Sequence, residues 1–195
     1  MRIKLINITV SICAIFTLVC CNQIKLNNEE AGNLVIQSLG LPQKFNKTVS
    51  NRESDILNQE GYVVKEAGKY VGSSTHFGID YIPEKLEVTK KGKPYLIKMA
   101  KNSSGDPLLT FKTYDIDFGS ITGIAIDKEQ KTAIVRFTVV ATNVTPIANL
   151  LERRFEHPLN GELVFKKFDS GWQLQSDQNK TPRELVNDIL KSNKN

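Results

Sequence analysis

The sequence predicts an α+β fold, in which one or more N-terminal helices precede a curved antiparallel sheet of about four to six strands and a C-terminal helix follows the sheet. Two observations carry this prediction. Apolar residues recur at helical spacing near both ends of the chain, next to residues that favour helix termini. Between them, residues 109–118 alternate between polar and apolar side chains, and residues 132–144 are rich in β-branched residues, as strands are.

The first two helices are predicted from their termini. Asn27 or Asn28 can cap a first helix, and Gly40 ends it. The residues from Ser50 to Glu53 have the capping-box pattern that begins a second, short helix, which stops by Gly61. In the first helix the apolar residues at helical spacing are Ala31, Leu34, Val35 and Leu39.

The middle of the chain has weaker signals. Residues 62–70 are predicted to form a strand, and the residues around Ile79 and Tyr81 and those at 95–99 are predicted to be extended. The sequence Lys-Lys-Gly-Lys-Pro at 90–94 indicates a turn.

The strongest strand signals come next. We predict separate strands at 109–118, 121–127 and 132–144, and a hairpin between 162–168 and 172–176. A helical turn is predicted to start at Pro146 and to continue to Phe155, and a capping box with Pro at the first helical position starts the last helix, at Thr181-Pro182-Arg183-Glu184.

The first 20 residues have the pattern of a cleavable signal peptide. Arg2 and Lys4 supply positive charge, and an apolar run from Leu5 to Val19 follows them. This run is shorter than the roughly 20 apolar residues that a membrane-spanning helix needs. An uncleaved N-terminal anchor helix stays open as an alternative, although polar residues interrupt the run.

The end of the apolar run, Leu18-Val19-Cys20-Cys21, resembles the lipobox of bacterial lipoproteins. The resemblance implies removal of residues 1–20 and a lipid on Cys21. Cys20 stands where Gly, Ala or Ser is usual, so the frame in which Cys20 is lipidated also stays open. That frame fits less well, because it places Thr17 and Val19 at the selective positions.

Membership of the lipoprotein class implies a location and an anchor. Each buried methylene of an acyl chain contributes about 0.8 kcal/mol to membrane binding, and several chains hold a protein stably. Asn22 follows the acceptor, where Asp typically signals inner-membrane retention in enterobacteria, so the resemblance implies the outer membrane, with the domain facing the periplasm. We expect a short tether at residues 21–27, one domain over 28–191 and a frayed tail at 192–195.

Two further resemblances concern the fold. A helix followed by long antiparallel strands is similar to the arrangement in cystatin-like and NTF2-like folds. The segment from Gly161 to Leu174 resembles the closing hairpin of small bacterial lipoproteins of unknown function, which often end a sheet in an aromatic residue, an acidic turn and Gly-Trp. Neither resemblance implies an active site.

Composition excludes several function classes. The three cysteines, Cys13, Cys20 and Cys21, all lie in or at the end of the signal, so we expect no disulfide, thiol nucleophile or cysteine-based metal site in the mature domain. The net charge of the chain is +5, and it falls to +3 without Arg2 and Lys4. Such a mild charge does not favour nucleic acid as a partner.

Candidate chemistry is sparse. His76 and His157 could meet on a metal with Asp80 or Glu156, but neither lies in a recognised ligand motif, and unrelated histidines are the simpler interpretation. His76 could also act as a base for Ser73 or Ser74, but the run of small polar residues there is typical of a loop. We therefore expect no catalytic residue, cofactor or metal.

Three more features could bind a ligand or a surface. Asp115 and Asp117 share one face of a strand, roughly 7 Å apart, where a cation could bind, although the water-exposed side of a sheet is the usual place for such a pair. Trp172 is expected in the core rather than at a binding surface. Basic clusters that could meet lipid headgroups or an acidic partner lie at Lys90-Lys91 with Lys93, at Arg153-Arg154 and at Lys166-Lys167.

The sequence thus favours a non-enzymatic, lipid-anchored domain that binds an envelope protein or component through a sheet face or edge. Two alternatives stay open. One is an immunity-type inhibitor of an envelope-targeted toxin. The other is a small-ligand carrier or weak hydrolase, which would need a deep apolar cavity that contains Asp115, Asp117 or His76.

Overall fold

A computed structural model describes residues 24–66, 69–72, 79–82, 85–152, 157–175 and 179–193. Within these ranges the chain has an α+β architecture, with a curled antiparallel sheet and helices packed on it. The helices are α1 (Asn28–Leu39), α2 (Asn51–Gln59), α3 (Pro146–Leu151) and α4 (Pro182–Ser192). The strands are β1 (Gln43–Thr48), β2 (Val63–Glu66), β3 (Lys69–Gly72), β4 (Ile79–Ile82), β5 (Lys85–Val88), β6 (Leu96–Lys101), β7 (Pro107–Asp127), β8 (Thr132–Thr142), β9 (Leu159–Phe168) and β10 (Gly171–Leu174).

The main sheet has six strands in the described part of the chain, and all of its pairings are antiparallel. Its order is β1-β7-β8-β9-β10, and β6 also pairs with the first part of β7. The strand β7 holds the sheet together, because its first half pairs with β1 and β6 and its second half pairs with β8. Two smaller antiparallel pairs, β2 with β5 and β3 with β4, lie outside this sheet.

The strand β7 corrects the prediction of separate strands at 109–118 and 121–127. It is continuous over 21 residues, and its register with β8 shifts between Phe118 and Ile121. The hydroxyl of Thr138 accepts a hydrogen bond from the backbone N–H of Ser120 at 3.1 Å and so satisfies that donor inside the irregularity. Gly119 lets the strands approach, since a Cβ there would lie 2.5 Å from the same hydroxyl oxygen. The chain therefore bends without leaving the sheet.

The helix ends follow the predicted signals. The side chain of Asn27 accepts the N–H of Glu30 at 2.8 Å, and Gly40 ends α1 with a φ of 58°. The capping boxes of α2 and α4 are both present. The predicted strand at 62–70 is instead divided between β2 and β3. The helix α3 ends at Leu151, and Phe155 lies outside the described residues.

Two clusters of buried residues make up the core. Tyr114 and Ile116 of β7 belong to the first, which α1 and α4 cover. Leu109 and Phe111, at alternate positions of the same strand, belong to the second, together with residues of α2 and α3. The pairing of β7 with β1 shifts register between Phe45 and Asn46, so an extra residue of β7 lies between the part of the strand that contacts the first cluster and the part that contacts the second. The prediction that Trp172 is a core residue is confirmed, because its side chain is buried in the first cluster.

An ion-pair cluster ties β1 to the two helices of the second core. The Lys47 ammonium lies 2.7 Å from a carboxylate oxygen of Glu53 and 3.4 Å from one of Glu152. Partial burial opposes the charge of Lys47, but hydrogen bonding to Glu53 and the charge of Glu152 outweigh it, so its pKa is raised. Partial burial likewise opposes the charge of Glu53, yet hydrogen bonds from Lys47 and Ser50 leave its pKa below the ordinary value.

Candidate functional site

A cleft of about 480 Å³ lies between α4 and the strands β8 and β9. Four apolar side chains and one glycine contribute to its lining, namely Phe137, Leu163, Leu185, Ile189 and Gly161. The remaining residues that line it are polar or charged, namely Thr122, Arg136, Asn160, Glu162, Lys180, Asp188 and Ser192. The cleft is thus an open groove with an apolar part and a polar rim.

Gly161 brings the sheet and helix close together at this cleft. It pairs with Phe137 in the register of β8 and β9. A Cβ at position 161 would lie 2.6 Å from two ring carbons of Phe137 and 3.1 Å from the Cδ1 of Ile189. Since contacts below 3.0 Å do not occur for real Cβ atoms, any larger residue would displace the ring. The missing side chain therefore shapes the apolar part of the cleft.

The charges on the rim are paired. Arg136 Nε donates to Glu162 Oε2 at 2.8 Å across β8 and β9, and about half of each side chain is exposed. On the helix side, Lys180 Nζ lies 3.0 Å from Asp188 Oδ2, and Lys191 Nζ lies 3.7 Å from its other oxygen. The hydrogen bond from Lys180 lowers the pKa of Asp188, so this carboxylate is charged at neutral pH. The rim thus offers cations and anions in fixed positions.

Asn193 fastens the end of α4 to the edge of β9. Its side-chain amide donates to the carbonyl of Asn160 at 2.9 Å, and its amide oxygen accepts the backbone N–H of Asn160 at 3.1 Å. The side chain thereby makes the two hydrogen bonds that a neighbouring strand would make. This contact holds the helix against the sheet beside the cleft.

The aspartate pair lies elsewhere and differs from its prediction. Asp115 was expected on the water-exposed side of the sheet, but it is only 7% exposed. Asn143 Nδ2 donates to Asp115 Oδ2 at 2.8 Å, and the Lys112 ammonium lies 3.6 Å from the same oxygen. No donor in the described part of the chain reaches Asp115 Oδ1, which is buried. Asp117 is engaged locally, because its carboxylate accepts the N–H of Phe118 at 2.8 Å.

The carboxylates of Asp115 and Asp117 are therefore engaged by neighbouring groups of the protein. One oxygen of Asp115 is paired by the turn after β8, where Asn143 has a φ of 50° and donates its amide to the carboxylate. This left-handed conformation is one that Asn tolerates better than most residues. Neither aspartate is among the residues that line the cleft.

The other candidates are scattered. His157 lies on an exposed bend before β9, and Asp80 lies on β4. Ser73, Ser74, His76 and Glu156, the arginines at 153 and 154, and both cysteines of the proposed lipidation site lie outside the described residues. The described ranges hold no group of three or more His, Cys, Asp or Glu side chains that could hold a metal ion. Within them, no helix has the length and apolarity that crossing a membrane requires.

Sequence reasoning missed the cleft. Arg136 and Glu162 are 26 residues apart and meet only through the register of β8 and β9. Asp188 and Ile189 are visible in the sequence only as part of an amphipathic helix.

Comparison of the chain with protein families, with curated proteins and with solved structures gives no match.

Proposed function

We propose that this protein is a lipid-anchored domain of the bacterial envelope that binds a partner in the cleft between α4 and β9. The observation that carries the binding proposal is the combination of an apolar lining with paired charges on the rim. The proposed attachment is a lipid on Cys21, or on Cys20 in the alternative frame, and it places the domain at the outer membrane, facing the periplasm. It is supported by the lipobox-like sequence alone.

The shape and chemistry of the cleft favour a segment of an envelope protein as the occupant. An apolar side chain of such a segment would contact Leu163 and Ile189, while its backbone and polar side chains would meet the charges of Arg136 and Asp188. Because the rim carries both signs, a partner with little net charge fits better than a strongly acidic or basic one. We propose that this role is binding and involves no catalysis.

The fold assignment belongs to the same proposal. We propose a cystatin-like or NTF2-like arrangement, in which the N-terminal helix packs on a curled antiparallel sheet. The packing of α1 on β7 and on β10 supports it. Such folds host many functions, so the assignment adds nothing to the identity of the partner.

Site-specific photo-crosslinking in intact cells tests the binding proposal. A photoreactive amino acid at Thr122, which is exposed at the cleft, is expected to give a discrete adduct with an envelope protein. The matched control carries it at Gln59, which is exposed at the end of α2. The Arg136→Glu substitution is expected to weaken the Thr122 adduct, because it places two carboxylates side by side on the rim.

Three results would contradict the proposal. One is the absence of any adduct from Thr122, and another is the same adducts from Thr122 and Gln59. The third is an adduct whose yield does not change with Arg136→Glu, since the rim would then take no part in binding.

A small-ligand carrier is the second candidate. The cleft is not the cavity expected for it from the sequence, because neither Asp115 nor Asp117 lines the cleft, but the cleft volume falls in the range of about 300 to 1,000 Å³ that is common for ligand sites. Native mass spectrometry of the protein purified from its own cells separates the two candidates. A bound small molecule that is displaced by Thr122→Arg, at an exposed position of the cleft, would favour the carrier, whereas a bare chain together with a Thr122 adduct favours the protein partner.

A further inference from the structure

One end of the main sheet combines lysines with an exposed aromatic ring. We call it the basic end and define it by Lys25, Lys131, Lys166, Lys167 and Phe168. The backbone N–H of Lys167 donates to the carbonyl of Lys131 at 2.8 Å, so the turn after β7 and the hairpin of β9 and β10 lie side by side. Phe168, at the tip of this hairpin, is 42% exposed.

The chain enters the domain at the same place. Trp172 Nε1 donates to the carbonyl of Lys25 at 3.4 Å, and the neighbouring residue Leu26 is only 7% exposed. Ile24 packs against the same core cluster. Thus the segment beside Lys25, which the sequence assigns to the tether, already lies on the domain next to the turn end of the hairpin.

The two hairpin lysines have no acidic partner in the described part of the chain. The Lys167 ammonium lies 5.5 Å from the ring centroid of Trp172, and the Lys166 ammonium lies 5.8 Å from that of Phe168. They occupy successive positions of β9 and so lie on opposite faces of the sheet.

Acidic residues at this end are fewer than basic ones. Besides the basic end, the adjoining turns contribute Lys128, Asp127, Glu129 and Asp169. The carboxylate of Asp127 accepts the N–H groups of Glu129 and Gln130, at 2.9 and 3.0 Å, so it is turned toward its own loop. Together, Lys25, the turn after β7 and the hairpin hold five lysines and three acidic residues.

We infer that the basic end docks on the anionic surface of a lipid bilayer. This inference rests on the proposed lipid at Cys21, which is four residues before Lys25 and therefore within at most about 14 Å of it. A lipid at that position brings headgroups to this end of the sheet before any other. Lysines around an exposed aromatic ring suit such a surface, since the cations meet anionic headgroups and the ring enters the interface.

Energy transfer from Trp172 to a dansyl-labelled lipid headgroup tests the docking. Trp172 is the only tryptophan of the chain, and it lies directly beneath Lys167. The full chain is placed on phosphatidylcholine vesicles with and without phosphatidylglycerol. We expect more efficient transfer on the anionic vesicles, and we expect salt to abolish the difference, because the Debye length falls from roughly 10 Å at about 0.1 M to roughly 3 Å at about 1 M.

The informative variant is Lys131→Gln/Lys166→Gln, which leaves Lys167 in place over the Trp172 ring. One lysine near an anionic surface changes the docked-to-undocked ratio by about fivefold, so this variant is expected to lower the ratio by roughly 25-fold. The matched control is Lys90→Gln/Lys93→Gln, which removes the same charge from exposed positions before β6. Transfer efficiency is taken from donor lifetimes, which corrects for changes in indole brightness.

Flotation of the same samples separates this inference from the proposed anchor. A chain that floats with neutral vesicles but shows equal transfer on both vesicle types is attached without docking, and the inference is overturned. A chain that floats with anionic vesicles alone keeps the docking surface and contradicts the anchor. Equal losses in the two lysine variants would also overturn the inference, because they would show an unspecific effect of net charge.

Discussion

Replacing Gly161 by Ala tests whether the packing at the cleft is as tight as the distances indicate. The new Cβ would lie 2.6 Å from two carbons of the Phe137 ring, about 1 Å inside an ordinary carbon–carbon contact. Phe137 is fully buried, so moving its ring disturbs the side chains packed around it. Overpacking of this kind costs about 1 to 3 kcal/mol.

A smaller effect opposes this cost. An alanine restricts the unfolded chain more than a glycine does, and this stabilises a protein by about 0.4 to 1 kcal/mol where the native conformation allows it. Gly161 has no positive φ, so the gain applies here. The net expectation for Gly161→Ala is therefore a loss of about 1 to 2 kcal/mol in the free energy of unfolding.

Equilibrium unfolding in urea, followed by the fluorescence of the buried Trp172, measures the change. Gly123→Ala is the matched control, because Gly123 also lies in a strand and a Cβ there meets nothing within 4 Å. It is expected to be neutral or slightly stabilising. In the Gly161→Ala background, Phe137→Leu should cost less than it costs alone, by at least about 0.5 kcal/mol. Equal stability of Gly161→Ala and the native chain, or equal losses in the two alanine variants, would refute the packing argument.

Three other predictions concern stability. Asn143→Gly, which keeps the left-handed turn but removes the donor to buried Asp115, is expected to cost about 1 to 3 kcal/mol in urea unfolding. Thr181→Ala, which removes the N-cap of α4, is expected to cost about 1 kcal/mol, and Thr181→Ser should restore it. The pKa of Glu53 is lower in the folded chain than its unfolded value of 4.5, so the charged carboxylate stabilises the fold above that value, and this stabilisation is lost as the pH falls through the folded pKa. Between about pH 6 and about pH 3, the free energy of unfolding of the native chain should therefore fall by about 1 kcal/mol more than that of Lys47→Met. A parallel pH dependence of the two proteins would contradict this last prediction.

Local signals predicted the helix termini well. Asn27, Gly40 and the capping box at Thr181 act through bonds within three or four residues, so the sequence contains both partners of each contact. The alternation on β7 and the turn before β10 are local in the same sense. These elements account for most of the correct predictions.

Contacts between distant parts of the chain account for the errors. The strand β7 continues past Gly119 because Thr138 on the next strand supplies a hydroxyl, which no local pattern reveals. Asp115 is buried with an amide partner, Asn143, which comes from 28 residues away. The strand β1 was missed because its sequence is mostly polar and it buries one apolar residue, Phe45, as it pairs with β7.

The cleft has the same origin. Its lining comes from β7, β8, β9 and α4, so it exists only once the sheet has its register and α4 lies on it. By contrast, the lipid attachment is proposed from four consecutive residues, Leu18 to Cys21. The sequence thus suggests where the protein is attached, and the tertiary structure suggests where it binds.

The central claim is that a lipidated Cys21 holds this domain at a membrane, since both the cleft partner and the docking surface are proposed from that location. The intact mass of the protein, extracted with detergent from cells that express the whole chain, tests it most directly. The account predicts a chain that begins at Cys21 and carries the added mass of acyl groups on that residue. A chain that retains Met1, or one that begins elsewhere without acyl groups, would contradict it.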